Sequence, residues 1–272
     1  MHTFRFLWIL TFLFTSGCSL LPEQIDQTKD WSASQFYSEA KEAMRDSDYD
    51  QAIKYYEGLE ARFPFGRFAT QSQLDIIYAY YKNNEPDSVT AAADRFIKLH
   101  PQNPYVDYAY YLKGLTNYNR DHSFTSRFIP SDPSQRDPGA ALESFKDFEQ
   151  LLLLYPGSKY ADDARQRMRY LRNNLAKYQI HVARYYMKRD AYLAAANRAN
   201  RVVANFQRST AVQEALEIMV EAYTRLEMED LANDAKRVLT INQQKGTFDA
   251  PGQDDHESLT ETIWNFFELD KN

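Results

Sequence analysis

Side chains able to do chemistry are few in this sequence of 272 residues, and their spacing does not suit catalysis. The five histidines, His2, His100, His122, His181 and His256, are far apart. No G-x-S-x-G nucleophile turn, H-E-x-x-H metal helix or G-x-G-x-x-G phosphate loop occurs. Carboxylates are plentiful but fit solvated helix faces. Cys18 is the only thiol. The sequence therefore gives no catalytic residues, no metal ligands and no cofactor set, and the reading is of a protein that is not an enzyme.

What remains are side chains suited to binding. Residues 159–208 hold 12 Lys and Arg against 3 Asp and Glu, a balance of +9, and residues 209–272 hold 5 against 14, a balance of −9. Such blocks steer charged partners within roughly 8–10 Å at physiological salt. Arg184, Lys188, Arg198 and Arg201 are the candidate partner-binding residues of the basic block. Arg198 and Arg201 are one helical turn apart, and Arg suits bidentate pairing with carboxylates. A protein-docking face, packing beside the acidic last repeat, and binding to anionic headgroups all fit this pattern. Among 20 Tyr and 17 Phe, most should be core. Phe36, Tyr37, Phe65, Phe68, Tyr78 and Tyr81 are candidates for a groove that receives aromatic-ended segments, because such rings combine flat apolar area with, in Tyr, a hydroxyl. Tyr105, Tyr108, Tyr110, Tyr111 and Tyr118 cannot all share one helix face, so some should look outward.

The elements that must position these groups are helices. Gly is scarce, and neither Gly nor Pro occurs between Gly157 and Gly246. The stretches ARFPFGRFATQS (61–72), KLHPQNPYVDYA (98–109) and LLLLYPGSKYADDA (151–164) make the same stop three times, with Pro64, Pro101 and Pro156 spaced by 37 and 55 residues. Residues 205–209, NFQRS, read as a fourth stop without its Pro. A period in the mid-thirties marks a helical repeat array. Ala52, Tyr56, Leu59 and Phe63, then Val89, Ala93, Phe96 and His100, fall at helical spacing. The expected fold is all-α, a tetratricopeptide-like helical solenoid of about five helix pairs over 32–245. Asn103-Pro104 and Asp137-Pro138 are expected helix starts, and Thr210-x-x-Gln213 a capping box. Ala164, Met168, Leu171, Leu175, Tyr178, Val182 and Tyr185 form a seam that predicts one long helix. The last helix of a solenoid pair abuts the next pair, and the array leaves a concave groove suited to peptides or proteins.

The two ends differ from the array. Residues 1–17 read as a signal peptide with a short apolar run, Phe6–Phe14, too short to span a bilayer. Thr15-Ser16-Gly17-Cys18 resembles the bacterial lipobox, with Thr15 where such motifs usually carry Leu. That resemblance implies cleavage before Cys18, its lipidation, and residues 18–31 as a lipidated linker. Acyl chains contribute about 0.8 kcal/mol per buried CH₂, so several hold a protein firmly on a membrane. Ser19 follows the thiol where Asp would signal retention at the inner membrane, which favours the outer membrane facing the periplasm. Nucleic acid is not an expected partner for an exported chain. Residues 246–257 read as a linker, and 258–272 as a short amphipathic helix with Leu259, Ile263, Trp264, Phe266 and Phe267. Its apolar face fits the last repeat, another subunit or the membrane surface. Residues 119–137 interrupt the third repeat as a long loop.

The phrases YDQAIKYY (49–56) followed by RFPFG (62–66), YVDYAYYLKGL (105–115), the Arg136-Asp137-Pro138 start and LAKY (175–178) resemble the BamD (ComL) family of outer-membrane lipoproteins, over about 30–243. The resemblance implies a non-catalytic subunit of the machinery that assembles β-barrel proteins into the outer membrane. It implies docking on the POTRA domains of the BamA-type barrel subunit, accessory assembly lipoproteins as further partners, and unfolded β-barrel proteins as substrates. Arg198 is then expected on the docking surface. Substrates of that kind commonly end in aromatic residues, in keeping with an aromatic groove. A repeat lipoprotein that coordinates cell-wall synthesis or envelope constriction would share the lipobox and the repeats. A cell-wall lytic enzyme would need a catalytic domain, for which only 27 residues remain after 245.

Overall fold

A computed structural model describes residues 27–121 and 132–248. The signal segment with Cys18, the centre of the insertion and the tail from 249 lie outside them. Among the described residues there are ten α-helices and no strand. The chain divides into two compact units, 1–72 and 73–272.

The first unit contains α1 (Ala33–Arg45), α2 (Tyr49–Arg62) and the beginning of α3 (Arg67–Lys82). Ser32 Oγ accepts from Gln35 N (3.2 Å) and Asp48 Oδ1 from Gln51 N (3.1 Å), so each of the first two helices starts on a side-chain cap. Ala40 and Ala52 are fully buried where α1 meets α2. Phe36, Leu59 and Ala69 form the core, with Trp31 and Phe63 against it.

The second unit takes in the rest of α3, then α4 (Pro86–Leu99), α5 (Val106–Asp121), a 3₁₀ turn (Pro133–Gln135), α6 (Gly139–Leu154), α7 (Ala161–Met187), α8 (Tyr192–Asn205), α9 (Val212–Arg225) and α10 (Glu229–Gln244). From α4 onward each helix packs on the next in the chain, and α7 also meets the 3₁₀ turn and α9. The successive pairs are the tetratricopeptide-like array expected from the periodicity. Gly114 lets α5 approach α6, because a Cβ there would come within 2.7 Å of the Phe148 ring.

Two turns recur. The stops are real: Phe63, His100, Tyr155 and Phe206 all end a helix near φ −130°, ψ 44 to 66°, each donating its N–H to the carbonyl four residues back. Phe206 adopts this conformation without Pro, so the fourth stop is built by the backbone and the aromatic ring. The second turn was not legible. Ser47, Asn84, Asp190 and Glu227 all have φ of 57 to 62°, and the residue after each bonds to the carbonyl five back. They join α1 to α2, α3 to α4, α7 to α8 and α9 to α10. The α5–α6 connection is the one that the 119–137 insertion replaces.

The long helix is a single element of 27 residues, as the seam predicted. The seam itself changes face. Ala164, Leu171 and Leu175 enter one core cluster, and Ala176, Ile180 and Ala183 the next. A helix with 3.6 residues per turn drifts against a 3.5 repeat, so the expected Tyr178, Val182 and Tyr185 rotate out of the buried line. Two expected helix starts also differ. Asn103 Oδ1 accepts from Tyr105 N (2.9 Å) in a turn, and α5 begins at Val106, two residues after Pro104. The Thr210 capping box does not form: α9 begins at Val212, Ser209 Oγ takes the Ala211 N–H (3.1 Å), and Gln213 turns to Glu217 (3.0 Å). Asp137 does accept from Gly139 N (3.1 Å) at the start of α6.

Candidate functional site

The basic block maps onto α7 and α8. Arg184 lies in the last turn of α7 and Lys188 just beyond it, one turn further on, while Arg198 and Arg201 share α8. Arg184 is ion-paired to Glu214 at the start of α9, so one of the four cations holds the acidic last repeat in place. Arg198 donates to Gln179 Oε1 on α7 (3.2 Å), a hydrogen bond that leaves its charge uncompensated. Lys188 and Arg201 are exposed and have no ion pair among the described residues. Tyr185, half-exposed, carries the Arg189 guanidinium 4.7 Å over its ring beside this patch. Sequence periodicity put Tyr185 in the core, and only the drift of the seam reveals it.

The aromatic candidates fall in both units. In the first, Phe36 is 1 % exposed and belongs to the core, so its ring is unavailable to a ligand. Phe65 is the opposite case at 89 % exposed, in the stop after α2. Phe68 packs on Tyr37 (5.5 Å between centroids) and lies under Arg67 (4.7 Å). In the second unit, Tyr78 and Tyr81 stack at 6.3 Å on α3. Tyr81 also lines a cavity of about 290 Å³ with Lys82, Glu85, Val89 and Arg120. Its hydroxyl accepts from Asn119 Nδ2 (2.8 Å), and burial pushes its ionisation up against that hydrogen bond. The cavity thus has an aromatic wall, the Glu85 carboxylate and two cations, of which Arg120 is ion-paired to Asp87 (3.4 Å).

One Ser–His–Asp cluster assembles from distant positions. His181 Nε2 on α7 lies 2.9 Å from Ser134 Oγ and 3.3 Å from Asp132 Oδ2. Ser134 Oγ also donates to Asp132 Oδ1 (2.6 Å). A nucleophilic triad orients the second ring nitrogen with the carboxylate and exposes the hydroxyl. Here both groups crowd the same nitrogen and Ser134 is buried. The cluster is a clamp that fastens the 3₁₀ turn, and with it the end of the insertion, to α7. Partial burial pushes Asp132 upward, but the Ser134 hydrogen bonds and the His181 ring outweigh it and hold the carboxyl below the ordinary range.

The arrangement is that of a binding scaffold with a basic helix pair and exposed aromatics at a repeat stop. The family model for YfiO, described as outer membrane lipoprotein, matches residues 29–239. The chain belongs to the YfiO family. Within it, the protein is similar to the outer membrane protein assembly factor BamD of Neisseria meningitidis serogroup B, 48 % identical over 221 residues that cover 81 % of this chain and 83 % of that one. It is similar also to the factor of the same name from Vibrio cholerae serotype O1, 38 % over 241 residues, covering 89 % and 98 %. The Xylella fastidiosa counterpart is 34 % identical over 234 residues, covering 86 % and 80 %. The YfiO match spans nine of the ten helices whole and α10 as far as Leu239.

Proposed function

We propose that this chain is a non-catalytic subunit of the machinery that assembles β-barrel proteins into the outer membrane, anchored there through lipidated Cys18 and facing the periplasm. The observation that carries the reading is similarity to outer membrane protein assembly factors across the helical array. The cations of α7 and α8 support a docking role: Arg198 and Arg201, with Lys188, offer charge to carboxylates of a POTRA-bearing barrel subunit, while Arg184 braces the helix pair through Glu214. Tyr37, Phe65 and Phe68 in the first unit, and Tyr78 and Tyr81 in the second, are the groups offered to unfolded barrel substrates. The Tyr81 cavity offers its aromatic wall to an aromatic residue near the end of such a substrate. Accessory lipoproteins complete the set of partners.

The test is to purify the tagged, lipidated protein from its own membranes in mild detergent. Recovery of a POTRA-bearing barrel protein is the expected result. Recovery of wall-synthesis or division proteins without such a barrel would overturn the reading in favour of an envelope-constriction scaffold. For the substrate role, alanine at Phe65 and Phe68 should reduce crosslinking to a substrate's terminal peptide; full crosslinking by a folded variant would reject it.

A further inference from the structure

Three arginines in the middle of α7 and the following stop are left without counter-charge. Arg169 and Arg172 are one turn apart on α7, and Arg208 lies in the turn between α8 and α9. Phe206, two residues before Arg208, packs against both core clusters that meet at Leu175 and Ala176, which seats this turn over the centre of α7. None of the three makes an ion pair or hydrogen bond among the described residues. Arg172 Nε is buried with no acceptor, and so is the Asn173 Oδ1 with no donor. Partial burial, then Arg208 and Arg169, hold the Arg172 guanidinium below its ordinary value, as expected for a charge surrounded by like charge. An unpaired, partly desolvated arginine group of this kind favours carboxylates.

The same unit supplies them. Helix α8 ends and α9 begins at the Arg208 turn; α10 runs back along α9 after the tight turn at Glu227. The end of α10 at Gln244 therefore lies at the end of the array where Arg208 lies. Gly246, in the left-handed region at φ 58°, closes the helix, and the described chain ends at 248. Beyond it, residues 249–272 carry Asp249, Asp254, Asp255, Glu257, Glu261, Glu268 and Asp270 against Lys271 alone. Packed helices stand about 8–10 Å apart, so one to two spacings separate α10 from the arginines. Seven extended residues reach about 23 Å. The length, sign and point of departure of this segment all match the cluster.

We propose that the acidic segment 249–257 docks its carboxylates on Arg169, Arg172 and Arg208, covering the centre of α7 within the same chain. The cations involved differ from the Arg198 and Arg201 set, so the inference does not depend on which partner that set meets. Its consequence is that the positive face available to other molecules is confined to the far half of α7 and α8.

Energy transfer within the full-length lipidated protein tests it. Gln207→Cys and Ser258→Cys place two dyes, Cys18 being acylated. The expected result is a high-transfer population in dilute buffer. That population should be lost in Asp254→Asn/Asp255→Asn/Glu257→Gln, in Arg172→Gln/Arg208→Gln, and at about 1 M salt, where the screening length falls to about 3 Å. The tail variant changes no residue of the described helices, so its result stands even if the arginine variant is poorly folded. Low transfer that is indifferent to these charges would overturn the proposal. So would binding of inorganic phosphate to the arginines while the tail remains apart, since the cluster would then serve another anion.

Discussion

Arg167 and Arg172 stand five residues apart on α7 and serve opposite ends. Arg167 is 4 % exposed; its Nε donates to Asp163 Oδ2 at 2.6 Å, and its guanidinium lies 4.7 Å over Tyr118. Tyr111 OH donates to the same carboxylate oxygen (2.9 Å), which ties α5 to α7. Next to it, Lys113 pairs with Asp94 (2.8 Å) and Asp147 (3.2 Å), and Asn117 donates to Asp147 (2.8 Å). Burial pushes Asp147 up despite these partners, so the group is costly to keep and fully engaged. Five residues later, Arg172 meets other arginines and no acid. Charge near Arg167 is structural, and charge near Arg172 is left for a partner. At the start of α7, Asp162 and Asp163 neutralise Arg165 and Arg167, and beside them Asp94 on α4 and Asp147 on α6 neutralise Lys113 of α5. Further along, Glu214 does the same for Arg184.

The contrast breaks most visibly from its buried side. Arg167→Ala should destabilise the fold by about 3 kcal/mol, because it leaves Asp163 and Tyr111 with an uncompensated charge. Arg172→Ala should change stability by less than about 0.5 kcal/mol. Equal losses in urea unfolding would show that the two arginines play the same role. Next in size, Gly114→Ala forces a methyl into the Phe148 ring and should cost about 1–3 kcal/mol, read from the same curves. An unchanged midpoint would mean that α5 and α6 are not held at this close distance.

A smaller effect is expected at the Asp132–Ser134–His181 clamp. Because the folded-state carboxyl of Asp132 is held below the ordinary aspartate value of 3.8, its contribution is fully present above that value and is lost as pH falls through the folded one. Asp132→Asn should flatten the acid limb of stability against pH, with little change at pH 7 beyond loss of the clamp. An unaltered slope would remove Asp132 from the account. The smallest effect on stability belongs to Arg198→Glu, which loses only one hydrogen bond to Gln179. Its effect should appear instead in partner recovery, which ought to fall while the melting curve stays in place. Undiminished recovery would move the docking surface elsewhere.

Periodicity made much of the fold legible. Ala52, Tyr56 and Leu59, and Val89, Ala93 and Phe96, are all buried as their spacing required. The stop at Phe206 could be read without its Pro because the aromatic residue and the polar turn remained. The left-handed turns could not be read, since Ser47, Asn84, Asp190 and Glu227 share a conformation and no side-chain chemistry. Nor could the fate of each cation. Asp163 and Arg167 pair at i and i+4 within one helix, but the neighbour that isolates Arg172 comes from Arg208, 36 residues later in the chain. Charge counts located the basic block; only packing separates its braced members from its available ones. Phe36 and Phe65 make the same point for aromatics, one at a helical core position and the other at the tip of a stop.

The most direct test of the central claim is depletion of this protein in growing cells, followed by measurement of folded β-barrel proteins in the outer membrane. The account predicts that folded barrels decline and their unfolded forms accumulate in the periplasm, with rescue by the wild-type chain and not by Arg198→Glu. Barrels that stay at normal level while cell-wall synthesis or constriction fails would contradict it.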